Sequence, residues 1–272
     1  MKRHPLLVFF VLAFLLPWLV WGTTIAENAG MLSWHIPQSL AFWLGLTIAT
    51  YTAAALTGGW PAVKDLLLRL IRVRVAVWWY AAALLLTPVL ALVAGSLGAL
   101  VGQPALAGVA LPVSGLAGAL LLNIWMWLIT EETAWRGYAL PRLQRRMNPL
   151  VASLVLGVAW GVWHLPLFFI ADTFQAGIPF AGFLLSTIAT SVIIGWIFNH
   201  AHGSVLIAAL FHGVTDVAIA FSGAMSSGML LFWVFVAVQV LAAAAVAPDL
   251  ARMPRDIGQR ADAAPLLTAQ PG

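Results

Sequence analysis

Leu120-Leu121-Leu122-Asn123-Ile124-Trp125-Met126-Trp127-Leu128-Ile129-Thr130-Glu131-Glu132-Thr133-Ala134-Trp135-Arg136-Gly137 places two adjacent carboxylates and a guanidinium at the end of an apolar run. An ionisable group at membrane depth costs at least ~2.5 kcal/mol on insertion scales, so it marks a functional site by default. Only 8% of the 272 residues are charged and 62% are hydrophobic, so three charges within six residues stand out. This is the composition of an integral membrane protein and not of a soluble domain.

Seven more apolar stretches flank this one. Together they lie near 6–26, 36–58, 76–97, 113–135, 149–170, 180–198, 203–221 and 228–247. Each can cross a bilayer, which takes about 20 helical residues. The expected fold is all-α: a polytopic membrane bundle of about eight transmembrane helices enclosing a cytosol-facing cavity. Residues 1–247 form this single unit, with a motif-bearing core at about 115–220 and a disordered cytoplasmic tail at 248–272. The first stretch follows Lys2, Arg3 and His4 as a signal peptide would, but it lacks a small-x-small cleavage site and reads as an uncleaved span.

The loops fix an orientation. With the N-terminus in the cytoplasm, all 13 Lys and Arg residues fall on the inner side, from Lys2 and Arg3 through Lys64–Arg74 and Arg136–Arg146 to Arg252–Arg260. The outer loops then carry only Glu27 and Asp172. This is the positive-inside pattern of a cell-membrane protein with both termini cytoplasmic. Because the basic residues follow topology, no nucleic-acid partner is expected, and the lipid bilayer is the first partner. Pro61–Arg74 mixes apolar and basic residues. It reads as a helix in the inner interface with arginines reaching lipid phosphates, the alternative being a solvated connector. The chain has no cysteine, which removes disulfides, thiolate metal sites and thiol nucleophiles.

Helical spacing sorts the intramembrane polar residues. Glu132 and Arg136 are four apart and form a structural ion pair on one face. Glu131, about 100° away, escapes that pair and is free to act as a general base. The alternative is that both glutamates serve only to bind Arg136. The turn Arg145-Arg146-Met147-Asn148-Pro149 makes the fourth and fifth stretches an antiparallel hairpin and sets Glu131 opposite His164. Ser153, Gly157 and Gly161 form a row of small residues that admits a neighbouring helix. His212 and Asp216 are again four apart, roughly 15 Å into the membrane from the turn at Asn199–Gly203.

Glu131, His164, His212 and Asp216 can therefore meet in one cavity. Two chemistries suit them. In the first, Glu131 and His164 take a proton from water, His212 donates to the developing oxyanion, and Asp216 orients His212 or itself donates. In the second, a divalent metal such as zinc binds Glu131, His164 and His212. No His-Glu-x-x-His segment is present, and spacing does not choose between the two.

Glu-Glu-x-x-x-Arg-Gly at 131–137, an aromatic-x-x-x-His from Trp160 to His164, and His-x-x-x-acid at 212–216 together resemble the CPBP family. That family takes in CAAX-processing endopeptidases of the Rce1 type, bacteriocin-processing and self-immunity proteins, and Abi-type intramembrane proteases. The resemblance covers about residues 115–220. It implies an eight-span helical bundle with a conical, cytosol-facing cavity, in which Glu131 is the base, His164 helps activate water, and His212 and Asp216 supply the oxyanion side. The family pattern commonly has Phe at Trp160 and Asn at Asp216; an Asn amide donates a hydrogen bond, whereas Asp216 donates only when protonated. The implied activity is intramembrane endopeptidase, dependent on glutamate or on a metal. Its substrate would be a membrane-anchored or amphipathic peptide or protein, lipidated in CAAX-type processing. A non-proteolytic scaffold or bacteriocin self-immunity partner, and a proton-coupled transporter, are the competing readings.

Overall fold

A computed structural model describes residues 4–103, 113–225 and 227–255, and every regular element among them is helical. The long helices are α1 (Pro5–Asn28), α2 (Thr47–Leu70), α3 (Val77–Leu100), α4 (Val113–Ile129), α6 (Pro149–Trp163), α7 (Phe180–His200), α8 (Val205–Ser222) and α9 (Met229–Arg252), with α5 a short helix at Leu140–Gln144. Seven stretches are at least 18 residues long and apolar enough to cross a membrane. The 17 described residues of α4 supply the eighth, as the sequence pattern required.

Several boundaries differ from expectation. The second span begins at Ala41 with a π-helical stretch (Ala41–Leu46), because the Ile36 amide donates to Thr23 Oγ1 (2.9 Å) and holds the preceding residues against the end of α1. Its far part, Trp60–Leu70, is a separate helix in all but name: Gly59 turns the backbone at φ 64°, a conformation open to glycine. Arg69 and Arg72 do not reach outward as expected. Arg69 is buried and donates from Nε to Asp65 Oδ2 (2.9 Å), and Arg72 Nη1 donates to the His202 carbonyl. The open carbonyl of His202, beyond the C-terminus of α7, attracts the Arg72 cation. α9 runs through Pro248 to Arg252, where a tail was expected from residue 248. Asn148 Nδ2, donating to the Ala251 carbonyl (2.6 Å), ties that last turn to the start of α6. Residues 256–272 of the expected tail lie outside the described residues.

Small residues set the helix spacing around the site. A Cβ on Gly157 would lie 2.8 Å from Ile188 Cα, so the row read from sequence packs α6 directly on α7. A Cβ on Gly213 would lie 2.8 Å from the Ile124 backbone nitrogen. That glycine, next to His212, lets α8 come against α4.

The bundle has two distinct ends. At one, Ser204 Oγ donates to the Arg72 carbonyl (2.7 Å) and Gln144 Nε2 to Asn199 Oδ1 (3.1 Å), gathering the basic segments 64–74 and 142–146 with the α7–α8 turn and the end of α9. At the other, Phe168 meets Phe180 edge-on (5.1 Å), and Gly182 packs against Phe232.

Candidate active site

α4 ends at Ile129, and the chain continues into a π-helical stretch at Thr133–Ala139 where a regular helix was expected. Threonine hydroxyls widen the turn: Thr130 Oγ1 donates to the Met126 carbonyl (2.7 Å) and Thr133 Oγ1 to that of Leu128, five residues back (2.5 Å). Both glutamates sit at this transition and are buried.

Their surroundings differ. Glu131 Oε2 accepts the indole N–H of Trp135, one turn on (3.1 Å), and that of Trp160 from α6. Its Oε1 has no hydrogen-bond partner among the described residues. Glu132 Oε1 accepts Arg136 Nη1 (2.9 Å), the pair expected from spacing, and also His212 Nδ1 (2.8 Å). Arg136 in turn lies over the Trp160 ring, 4.4 Å from its centroid. Glu132 thus joins the helix carrying the glutamates to the helix carrying His212, a link that i,i+4 arithmetic cannot show.

α6 gives up its α-helical form at Trp163, and Leu165–Phe169, carrying Pro166, is a 3₁₀ turn. His164 caps this junction. Its Nδ1 lies 2.9 Å from the Trp160 carbonyl, which can only accept, so Nδ1 carries the hydrogen and Nε2 is left with its lone pair. On α8, His212 stacks on Trp127 (centroids 4.8 Å, planes 9° apart), with Trp160 edge-on to it at 5.1 Å. Trp127 Nε1 donates to Asp216 Oδ2 (2.7 Å), and the same oxygen stands 3.8 Å from His212 Nε2.

Glu131, His164, His212 and Asp216 all line one partly open cavity of about 500 Å³. The structure brings together every site residue singled out from sequence. Sequence reasoning singled out Trp160 only as the aromatic of its motif, not as a partner of Glu131, and missed Trp127 and Trp135, whose indoles also hold the carboxylates. The only signal for those two was the density of tryptophan beside the acidic positions. Among the described residues, no three His, Asp or Glu side chains are arranged to hold a metal ion. Of the trio considered for zinc, Glu131 Oε2 faces two N–H groups and His212 Nδ1 meets Glu132, which leaves Glu131 Oε1 and His164 Nε2 as the atoms with lone pairs to offer.

The cavity lies among α4, α6, α7 and α8. Its walls include Phe174, Gln175 and Met225, from the segments joining α6 to α7 and α8 to α9, and no residue of the basic segments 64–74 or 142–146.

Fold and cluster together define a multi-pass helical membrane protein with an acid–imidazole group set in an internal cavity. Residues 113–218 match the family described as type II CAAX prenyl endopeptidase Rce1-like. The CAAX prenyl protease 2 of Methanococcus maripaludis is 35% identical over 88 residues, 30% of this chain and 32% of that protein. The match thus spans about a third of the relative's length. The matched region contains the Glu-Glu, His and His-acid motifs on which the resemblance rests.

Proposed function

We propose that this protein is an intramembrane endopeptidase that cleaves a membrane-anchored or amphipathic polypeptide by glutamate-dependent hydrolysis. The carrying observation is the carboxylate of Glu131, aimed by two indole N–H groups, on a cavity shared with His164, His212 and Asp216. Water held between Glu131 Oε1 and His164 Nε2 gives its proton to Glu131 and attacks the scissile carbonyl carbon. A carboxylate faces each ring nitrogen of His212, so Nε2–H is set to donate to the oxyanion that forms. The C–N bond then breaks, and Glu131 returns its proton to the leaving amine.

Asp216 accepts the Trp127 N–H and faces His212. Its role is to orient that imidazole, as an acceptor and not as an oxyanion donor. The relative's name points to prenylated C-termini as that protein's substrates. A lipidated or otherwise membrane-bound chain is accordingly the substrate class proposed here.

The test is detergent-purified protein, treated with a chelator and incubated with membrane-anchored peptides, with products read by mass spectrometry. New paired termini should arise with the wild type and not with Glu131→Gln. Equal cleavage by the variant, or loss of cleavage on chelation restored by zinc, contradicts the reading.

A further inference from the structure

One wall of the cavity carries hydroxyls that the proposed chemistry does not use. Phe183, Ser186, Thr187 and Thr190 of α7 line it at the spacing of a single helical face. Phe183 packs edge-on against His164 (5.2 Å), and a Cβ on Gly161 would lie 3.6 Å from Thr187 Cβ. This face of α7 therefore runs directly beside the polar cluster.

Four hydroxyl side chains line the cavity among the described residues, and three of them are engaged. Thr187 Oγ1 donates to the Phe183 carbonyl (2.8 Å), Ser186 Oγ donates to Gln239 Oε1 (2.5 Å), and Thr215 Oγ1 pairs with Thr87 Oγ1 (2.8 Å). Thr190 is the exception. It is only 7% exposed, yet its hydroxyl has no hydrogen-bond partner among the described residues. A buried hydroxyl is unfavourable unless it is bonded, so this one is suited to a group that enters the cavity.

A polypeptide drawn into the bundle brings such groups, because its peptide N–H and C=O leave water behind. The spacing fits an extended chain. Ser186 and Thr190 are one turn apart, roughly 6 Å along α7 at ~1.5 Å per residue. Alternate residues of an extended strand turn their peptide groups to the same side and repeat at about 6.6 Å.

We infer that α7 binds the substrate's main chain. The segment to be cut lies extended along Phe183–Thr190, with Thr190 Oγ1 donating to a peptide carbonyl and Ser186 Oγ accepting a peptide N–H two residues away. This rests on the endopeptidase reading and deepens it. What is recognised is an extended backbone, so a helical segment, whose peptide groups are already paired, has to unwind before it binds.

The test reads binding without cleavage. The parent protein carries Glu131→Gln, and the probe is a fluorescent, C-terminally prenylated peptide in detergent, followed by polarisation. Thr190→Val keeps the branched shape and removes the hydroxyl; it should weaken Kd about three- to tenfold, the scale of one neutral hydrogen bond, while Thr190→Ser stays within about twofold of the parent. A series of probes is then made with one backbone amide at a time replaced by an ester, which weakens the carbonyl as an acceptor. At one position the ester should cost the parent a similar factor and cost Thr190→Val nothing further, the non-additivity of a direct contact. Equal affinities of parent and Thr190→Val, or ester effects that add at every position, overturn the inference. Cleavage is scored separately, wild type against Glu131→Gln, so either reading can fail while the other stands.

Discussion

Two histidines of this molecule make nearly the same set of contacts. His200, at the basic end, stacks on Trp79 (4.4 Å, 14°), has Trp196 edge-on (5.3 Å), and lies 2.8 Å from Asp249, which also accepts the Trp196 N–H. His212, in the bundle, stacks on Trp127, has Trp160 edge-on, and meets Glu132 and Asp216, the latter accepting the Trp127 N–H. Surroundings separate them. The His200 and Asp249 side chains are 32% and 56% exposed, those of His212 and Glu132 6% and 0%. An exposed pair is worth ~0–1 kcal/mol, whereas breaking a buried one by removing a partner costs about 3–5 kcal/mol. A histidine between tryptophans and an acid is therefore a local packing pattern. It becomes chemistry only where a cavity, a second carboxylate and Glu131 are added.

The sharpest break in that comparison comes from the proposed oxyanion donor. His212→Ala should lower kcat/KM by about 10²–10³-fold, the scale of losing one such donor, while His200→Ala leaves peptide cleavage unchanged. Arg136→Ala strands Glu132 in the bundle and should cost about 3–5 kcal/mol, read as a lowered unfolding midpoint in detergent. Asp249→Asn should shift the same midpoint by no more than ~1 kcal/mol. Gly213→Ala pushes a methyl into the Ile124 backbone and should cost about 1–3 kcal/mol, with reduced turnover because α4 and α8 carry opposite sides of the site. The smallest effect is expected from Asp216→Asn. The amide oxygen can still accept the Trp127 N–H, so kcat/KM should stay within about tenfold of wild type, given that a hydrogen bond to a charged group is worth ~1.5–3 kcal/mol.

The sequence pattern made the spans legible because each must supply its own unbroken apolar length, and the pairs Glu132–Arg136 and His212–Asp216 legible because helical period is local. What it hid is tertiary. Glu132 and His212 are 80 positions apart, and Trp160 reaches Glu131 across 29. The wide turn at Thr133–Ala139 depends on hydroxyl bonds to carbonyls that no apolar period reveals. Which loops the cavity reaches needed the lining itself. Charge bias orients the loops, but only the positions of Phe174, Gln175 and Met225 show which loops meet the polar cluster.

The most direct measurement is kcat/KM for Glu131→Gln beside wild type on one membrane-anchored peptide, with the unfolding midpoint taken on the same samples. A loss of about 10²–10⁴-fold, the scale of a general base, with an essentially unchanged midpoint is the predicted result. Wild-type turnover by a fully folded Glu131→Gln would contradict the account.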